Sequence, residues 1–237
     1  MFIGHYGAAV YDTQRGSGVP LITLWQGFLA VQAMDICWAI LTVFGIEGAG
    51  EMVEGQPLFS IDWSHSLVTS ILLALICGAL FRWLKPSAGM KGFWIIAGLV
   101  FSHWVLDLIV HRPDLALYPG SNLMFGFGLW NAPFLAFILE MGLMAAGFLF
   151  WQKVTKPKHP KFTIAIWALF GFMAMLQVYF ILLPGLAVQS GTFEMSHGLQ
   201  GPALGFSSLT MFIIFPLIIS WIEKGRPSKF SPELHQG

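Results

Sequence analysis

Six apolar stretches, each long enough to cross a membrane as a helix, constrain the fold of this sequence most strongly. A helix rises 1.5 Å per residue, so about 20 apolar residues span a bilayer core of roughly 30 Å. Only 10% of the 237 residues are charged, against about 25% in soluble domains. We therefore predict an all-α, multi-pass membrane bundle. The six predicted spans cover residues 20–46, 65–84, 93–111, 129–151, 162–183 and 203–222.

A shorter apolar segment precedes the first span. As a helix, residues 2–14 would reach only about two-thirds of the way through the bilayer core, so we predict a short N-terminal membrane helix there. We expect a single transmembrane domain over residues 1–237, with a polar tail from about residue 224. The formal net charge is zero, which excludes the basic footprint of a nucleic-acid-binding protein.

The basic residues predict the orientation, because short loops rich in Lys and Arg remain on the cytoplasmic side. Such loops follow the second, fourth and sixth spans, whose ends share one side if the spans alternate. Their basic residues are Arg82, Lys85, Lys91, Lys153, Lys156, Lys158, Lys161, Lys224, Arg226 and Lys229. Arg15 joins them if residues 2–14 descend from the outer face, which leaves only Arg112 outside. We predict a plasma (inner) membrane protein with a cytoplasmic C-terminus.

Three residues able to bind metals recur every four positions near the end of the third span. His103, Asp107 and His111 would lie on one stripe of the helix, about 6 Å apart along its axis. The rest of the helix is apolar back to Phe93. Ionisable groups are costly inside a membrane and indicate a functional site.

Three further polar residues are predicted at the same depth. His5 opens the N-terminal segment at the outer face, and His65 begins the second span there. Asp35 is the only acid in the first predicted span, residues 20–46. At 1.5 Å per residue it lies about 22 Å from the inner end of that span. The orientation was assigned from Lys and Arg, so this shared depth is independent support for one site.

Imidazole nitrogen and carboxylate oxygen form the ligand set of zinc and similar ions. We predict a divalent-metal site, with zinc the expected ion, near the outer membrane face. Its predicted ligands are His5, Asp35, His65, His103, Asp107 and His111. A bound metal would activate a water molecule, and Asp35 or Asp107 would orient that water or act as the base.

Each of these residues also has a purely structural interpretation. His5 alone could be an interfacial residue, and His103 with Asp107 could form a hydrogen-bonded pair. The simplest interpretation of Arg112 and Asp114 is a helix stop with a local ion pair. The agreement in depth favours the metal site for the whole set.

The order of the motifs resembles a known family, the membrane-bound metal-dependent hydrolases of bacterial inner membranes, themselves related distantly to zinc-dependent phospholipase C. The resemblance covers about residues 4–111. The motifs are Gly4-His5, the acid Asp35, His65-Ser66 and His103-x-x-x-Asp107. The departures are a missing acid and His after Asp35 and a missing His-Arg before His65, and they favour a single metal over two or three.

The resemblance implies an all-helical membrane hydrolase that uses a metal. It implies metal ligation by His5, Asp35, His65, His103 and Asp107, whereas His111 is added from spacing alone. We therefore expect hydrolysis of a lipid-like or small amphipathic ester or phosphoester.

Three other functions remain open. The same residues could bind a cation or proton in a transporter, His65 and His103 could be axial ligands of a haem, or the chain could be a structural subunit. Four further polar residues have roles that the sequence leaves open. Asn131 is a candidate substrate contact, and Glu140 is a packing or proton-handling acid. Glu194 and His197 lie on the last outer loop.

Overall fold

Long apolar helices make up most of the fold in the computed structural model, which describes residues 3–9, 21–53, 56–190 and 201–229. The helices are α1 Gly4–Ala8, α2 Leu24–Val31, α3 Ala33–Val43, α4 Asp62–His65, α5 Leu67–Leu84, α6 Gly89–Val110, α7 Pro133–Val154, α8 Pro160–Gln177, α9 Leu183–Gln189 and α10 Pro202–Lys224. A π-helical turn, Val178–Leu182, joins α8 to α9.

Five helical stretches are long and apolar enough to cross a membrane. They are Leu67–Leu84, Pro86–Val110, Pro133–Val154, Pro160–Ala187 and Pro202–Lys224. The all-α part of the prediction is therefore confirmed, and the length and apolar composition of these helices agree with a multi-pass membrane protein. The described residues contain six spans, as predicted, only if the bent pair α2–α3 counts as one. Of the N-terminal segment predicted over residues 2–14, the structure describes residues 3–9, and these contain the five-residue helix α1.

The first predicted span is not the continuous helix that its apolar sequence suggests. Helices α2 and α3 meet at Gln32, where the axis turns by 53° and the backbone leaves helical geometry. The turn leaves Val31 as the last residue of α2 and places Asp35 in the first turn of α3. The last four carbonyl groups of a helix lack partners within it, and the N-terminal end of a helix stabilises negative charge. The bend therefore supplies a free acceptor and a favourable place for a carboxylate.

Three interhelical contacts bring the basic ends of the helices together. Lys85 Nζ, just after α5, donates to the Leu21 carbonyl at 2.9 Å. The Leu24 amide donates to Glu223 Oε1 near the end of α10 at 2.8 Å. The Lys156 amide, after α7, donates to the Pro227 carbonyl at 3.0 Å. The loops predicted to share one side therefore lie at one end of the bundle.

The opposite end is formed by connecting segments with little helix. In the acidic segment after α3, the strands β1 Gly48–Val53 and β2 Gln56–Ser60 pair antiparallel. Two-residue strands, β3 Leu115–Ala116 and β4 Met124–Phe125, pair after α6. These short strands leave the chain predominantly helical.

Helix α1 packs tightly against α7. A side chain on Gly7 would overlap the backbone of Leu143, so only glycine permits this approach. Tyr6 is fully buried in a cluster with Phe28 and Phe215. This packing anchors the short helix and holds His5 against α6.

Candidate metal centre

Asp107 of α6 lies at the centre of the polar cluster, and its two carboxylate oxygens face different histidines. Oδ1 lies 3.2 Å from His5 Nε2 and 3.7 Å from His111 Nε2. Oδ2 lies 3.1 Å from His103 Nε2 and 3.7 Å from His65 Nε2. Four histidines from three helices and one helix end thus converge on one buried acid.

Asp35 closes a second side of the cluster. Its Oδ1 lies 3.4 Å from His65 Nε2 and 3.6 Å from His103 Nε2. The Asp35 side chain is 16% exposed and the Asp107 side chain only 2%. Asp35 is therefore the carboxylate that a small molecule could approach.

These spacings match those between ligands of one metal ion. Tetrahedral ligands about 2.1 Å from zinc lie about 3.4 Å from one another. Two overlapping groups have all their ligand atoms within 4.8 Å of one another, and they share His103: one is His5, His103 and Asp107, and the other is Asp35, His65 and His103. This buried cluster could hold a metal ion. His111 belongs to neither group and lies at the rim.

The outward-facing nitrogens of three rings have their own partners. His103 Nδ1 donates to the Val31 carbonyl at 2.6 Å, at the end of α2. His65 Nδ1 lies 2.6 Å from the Ser64 hydroxyl, which in turn lies 3.5 Å from the Ile61 carbonyl. His111 Nδ1 donates to Asp114 Oδ1 at 2.9 Å. An Nδ1–H bond of this kind leaves the Nε2 lone pair free for a metal and fixes the ring orientation.

The inward-facing nitrogens of His5 and His103 are buried and have no hydrogen-bond partner among the described residues. Their rings stack with centroids 3.6 Å apart. With Nδ1 of His103 protonated, its Nε2 lone pair faces the Asp107 carboxylate at 3.1 Å. Two electron-rich atoms at that distance in a buried site need either a proton between them or a metal ion beside them. The donor set and its unsatisfied atoms therefore fit a divalent metal.

Two acidic residues outside the cluster hold the segments that carry its histidines. Glu47 Oε1 accepts from the amides of Trp63 and Ser64, at 2.7 and 3.0 Å, in the helix that carries His65. Glu140 Oε2 lies 3.4 Å from the amide of Gly4, at the start of α1. Glu140 is thus the buried acid that its sequence suggested, and it contacts the helix that bears His5.

A small open cavity of about 90 Å³ lies above the cluster. Asp35, His65, Asp107 and His111 line its polar floor. Its apolar walls are Trp38, Phe59, Ile61 and Trp130. The cavity therefore pairs a polar floor with aromatic walls, which suits a molecule with a polar group and an apolar body.

All six predicted ligands are brought together, with His111 the most peripheral. The ion pair expected between Arg112 and Asp114 is not their main interaction, because Asp114 accepts from His111 and Arg112 Nε donates to Asn131 Oδ1 at 3.0 Å. Partial burial lowers the pKa of Arg112, and the nearby Asp114 opposes that shift. Glu194 and His197 lie outside the described residues.

Sequence reasoning missed the groups that orient the histidines. Glu47 follows the first predicted span and Ser64 precedes His65, but neither position indicates a contact with the segment or ring of His65. The Val31 carbonyl could not be identified, because a backbone acceptor has no residue type.

Comparison with protein-family models, with curated proteins and with solved structures finds no match for this chain.

Proposed function

We propose that the protein is a membrane-embedded, metal-dependent hydrolase that acts on a lipid-like ester or phosphoester. The observation that carries this proposal is the set of imidazole-to-carboxylate distances of 3.1 to 3.7 Å around Asp107 and Asp35. Zinc is the proposed ion, because nitrogen and oxygen ligands in a compact site suit it. The resemblance of the motifs over residues 4–111 to the membrane-bound metal-dependent hydrolases agrees with this proposal.

The proposed roles follow from burial. His5, His65, His103 and Asp107 hold the metal, and their burial keeps the site rigid. Asp35 faces the cavity and orients or deprotonates the attacking water. The metal supplies Lewis acidity and a water of lowered pKa. Asp107, almost fully buried among four rings, acts as a ligand rather than as the general base.

The cavity supports an amphipathic substrate. An ester or phosphoester group would reach the polar floor, while an apolar chain would lie against Trp38, Phe59 and Trp130. Together with the basic residues at the other end of the bundle, this arrangement favours a site on the outer side of a plasma (inner) membrane and a C-terminus in the cytoplasm.

Metal analysis of the detergent-purified protein tests the proposal. We expect about one zinc ion per chain in the wild type and little in the double variant His103→Ala with Asp107→Ala. His159→Ala is the matched control, because His159 is exposed at the opposite end of the bundle. Equal metal content in the wild type and the double variant would refute the site.

Turnover is tested with amphipathic esters and phosphodiesters in mixed micelles. Asp35→Asn is expected to keep most of the metal and to lose at least 100-fold in kcat, in line with the contribution of a general base of about 10²–10⁴. Metal uptake into liposomes without any hydrolysis would instead support a transporter.

The spacing of the rings disfavours haem. The centroids of His65 and His103 are only 5.3 Å apart, and both Nε2 atoms approach the same oxygen of Asp35. A porphyrin between two axial histidines needs more room than this. The absorption spectrum of the purified protein provides a direct check.

A further inference from the structure

Basic side chains are concentrated at the end of the bundle opposite the metal centre. We call this set the basic platform, and it comprises Lys153, Lys156, Lys158, Lys161, Lys224, Arg226 and Lys229. The two stretches that carry it, 153–161 and 224–229, contain no Asp or Glu. All of its lysines are exposed.

Backbone hydrogen bonds join these two distant stretches. The amides of Lys156 and Lys158 donate to the carbonyls of Pro227 and Gly225, at 3.0 and 2.9 Å. The amide of Lys229 donates to the Val154 carbonyl at 2.9 Å. These backbone hydrogen bonds thus hold the positively charged side chains of both stretches on one surface, despite the repulsion between them. The positive-inside rule accounts for the side of the membrane but not for this pairing.

Arg226 is the buried member of the platform, and the side chains that its guanidinium contacts are neutral. Its guanidinium donates to the hydroxyls of Thr155 and Thr163, at 3.3 and 3.0 Å, and lies 5.3 Å from the Trp151 ring. The adjacent acid, Glu223, accepts from the amide of Leu24 at 2.8 Å, so its carboxylate serves α2. These contacts leave the positive charge of the platform in excess.

Apolar side chains surround the helices just beyond the platform. Leu149 and Phe150 of α7 are 55% and 41% exposed, and Trp221 of α10 is 50% exposed. In a membrane-spanning bundle such faces contact acyl chains, and a tryptophan near the helix end lies at the headgroup level. The basic side chains therefore lie where a phospholipid headgroup would be, and the exposed apolar side chains lie where its acyl chains would be.

We propose that the basic platform binds the headgroup of an acidic phospholipid from the adjoining leaflet. Clusters of Lys and Arg next to membrane helices attract anionic lipids by about 1 kcal/mol for each residue near the surface. The exposed Lys156 and Lys158, on the hydrogen-bonded stretch 153–161, make the direct contact with the lipid phosphate. Neighbouring acyl chains lie along α7 and α10.

The test measures the Tm of detergent-solubilised protein against the mole fraction of phosphatidylglycerol in the micelle, which gives an apparent Kd. The variant Lys156→Gln with Lys158→Gln is expected to bind roughly 30-fold more weakly, from two lost charges. The matched control, Arg82→Gln with Lys91→Gln, removes the same charge at the same end, from the α5–α6 turn, and is expected to change the apparent Kd less than threefold. A Tm equal to that of the wild type in micelles without phosphatidylglycerol verifies that both variants are folded.

Three outcomes would overturn the proposal. The first is equal weakening in the two double variants, which would indicate diffuse attraction. The second is an equal response of the wild type to phosphatidylcholine. The third is a full stabilising effect of inorganic phosphate alone, which would indicate a small-anion site rather than a lipid site.

Discussion

The effect of Glu47 on metal affinity gives the sharpest test of how the site is held together. Glu47→Ala removes the acceptor of two amides in the four-residue helix that carries His65. Leaving a buried amide unsatisfied costs about 1–3 kcal/mol, and hydrogen bonds to a charged acceptor contribute about 1.5–3 kcal/mol each. Loss of both bonds loosens the four-residue helix, and we expect His65 to shift. We expect metal affinity to fall roughly 10–100-fold, the range found when groups that orient ligands are removed.

Glu47→Gln separates hydrogen bonding from charge. Glutamine keeps a carbonyl oxygen that accepts from both amides, and the loss of charge weakens each bond by about 1 kcal/mol. We expect metal affinity within tenfold of the wild type. Both variants lose the same charge, so their difference measures the hydrogen bonds alone.

The assay is competition for zinc between the metal-free protein in detergent and a fluorescent chelator of known affinity. Equal zinc affinity of Glu47→Ala and Glu47→Gln would refute the role of the Glu47 hydrogen bonds in holding His65. Wild-type affinity in both variants would refute any role of Glu47 in metal binding.

Three further predictions concern neighbouring groups. Ser64→Ala removes the partner of His65 Nδ1, and we expect about tenfold weaker zinc binding in the same competition assay with Tm changed by less than about 3 °C. Gly7→Ala places a methyl group against the backbone of Leu143, and we expect thermal unfolding to show a loss of at least about 5 °C, from about 2 kcal/mol of overpacking. Trp130→Ala removes one cavity wall, and kinetics should show a higher KM for long-chain substrates with unchanged zinc content.

The membrane helices were predictable because their signal is local. Five stretches of apolar residues became helices with boundaries close to those expected. The bend at Gln32 was not predicted, because residues 20–46 contain no interior proline and their hydropathy is continuous. The hairpin after α3 was missed for a related reason, since an acidic segment with several glycines is also typical of a loop.

The candidate ligands were predictable because buried charge is rare in a membrane. His103 and Asp107 were identified from a four-residue spacing, and His5, Asp35 and His65 from their predicted depth and from the resemblance of the motifs. Tertiary packing decides which atoms face one another. The sequence therefore could not show that Asp107 is central to the cluster and His111 peripheral. The supporting role of Glu47 was also hidden, because its partners are backbone amides 16 and 17 residues away.

The bend between α2 and α3 links membrane architecture to metal occupancy. A straight helix would retain the Val31 carbonyl for its own hydrogen bonds and would withdraw both the partner of His103 and the position of Asp35. Ligand binding and a conformational equilibrium bias each other by the same free energy. A metal held by the proposed site would therefore stabilise the bend, and the metal-free chain would have a less constrained first span. A lipid environment that straightens this span would then be expected to weaken metal binding.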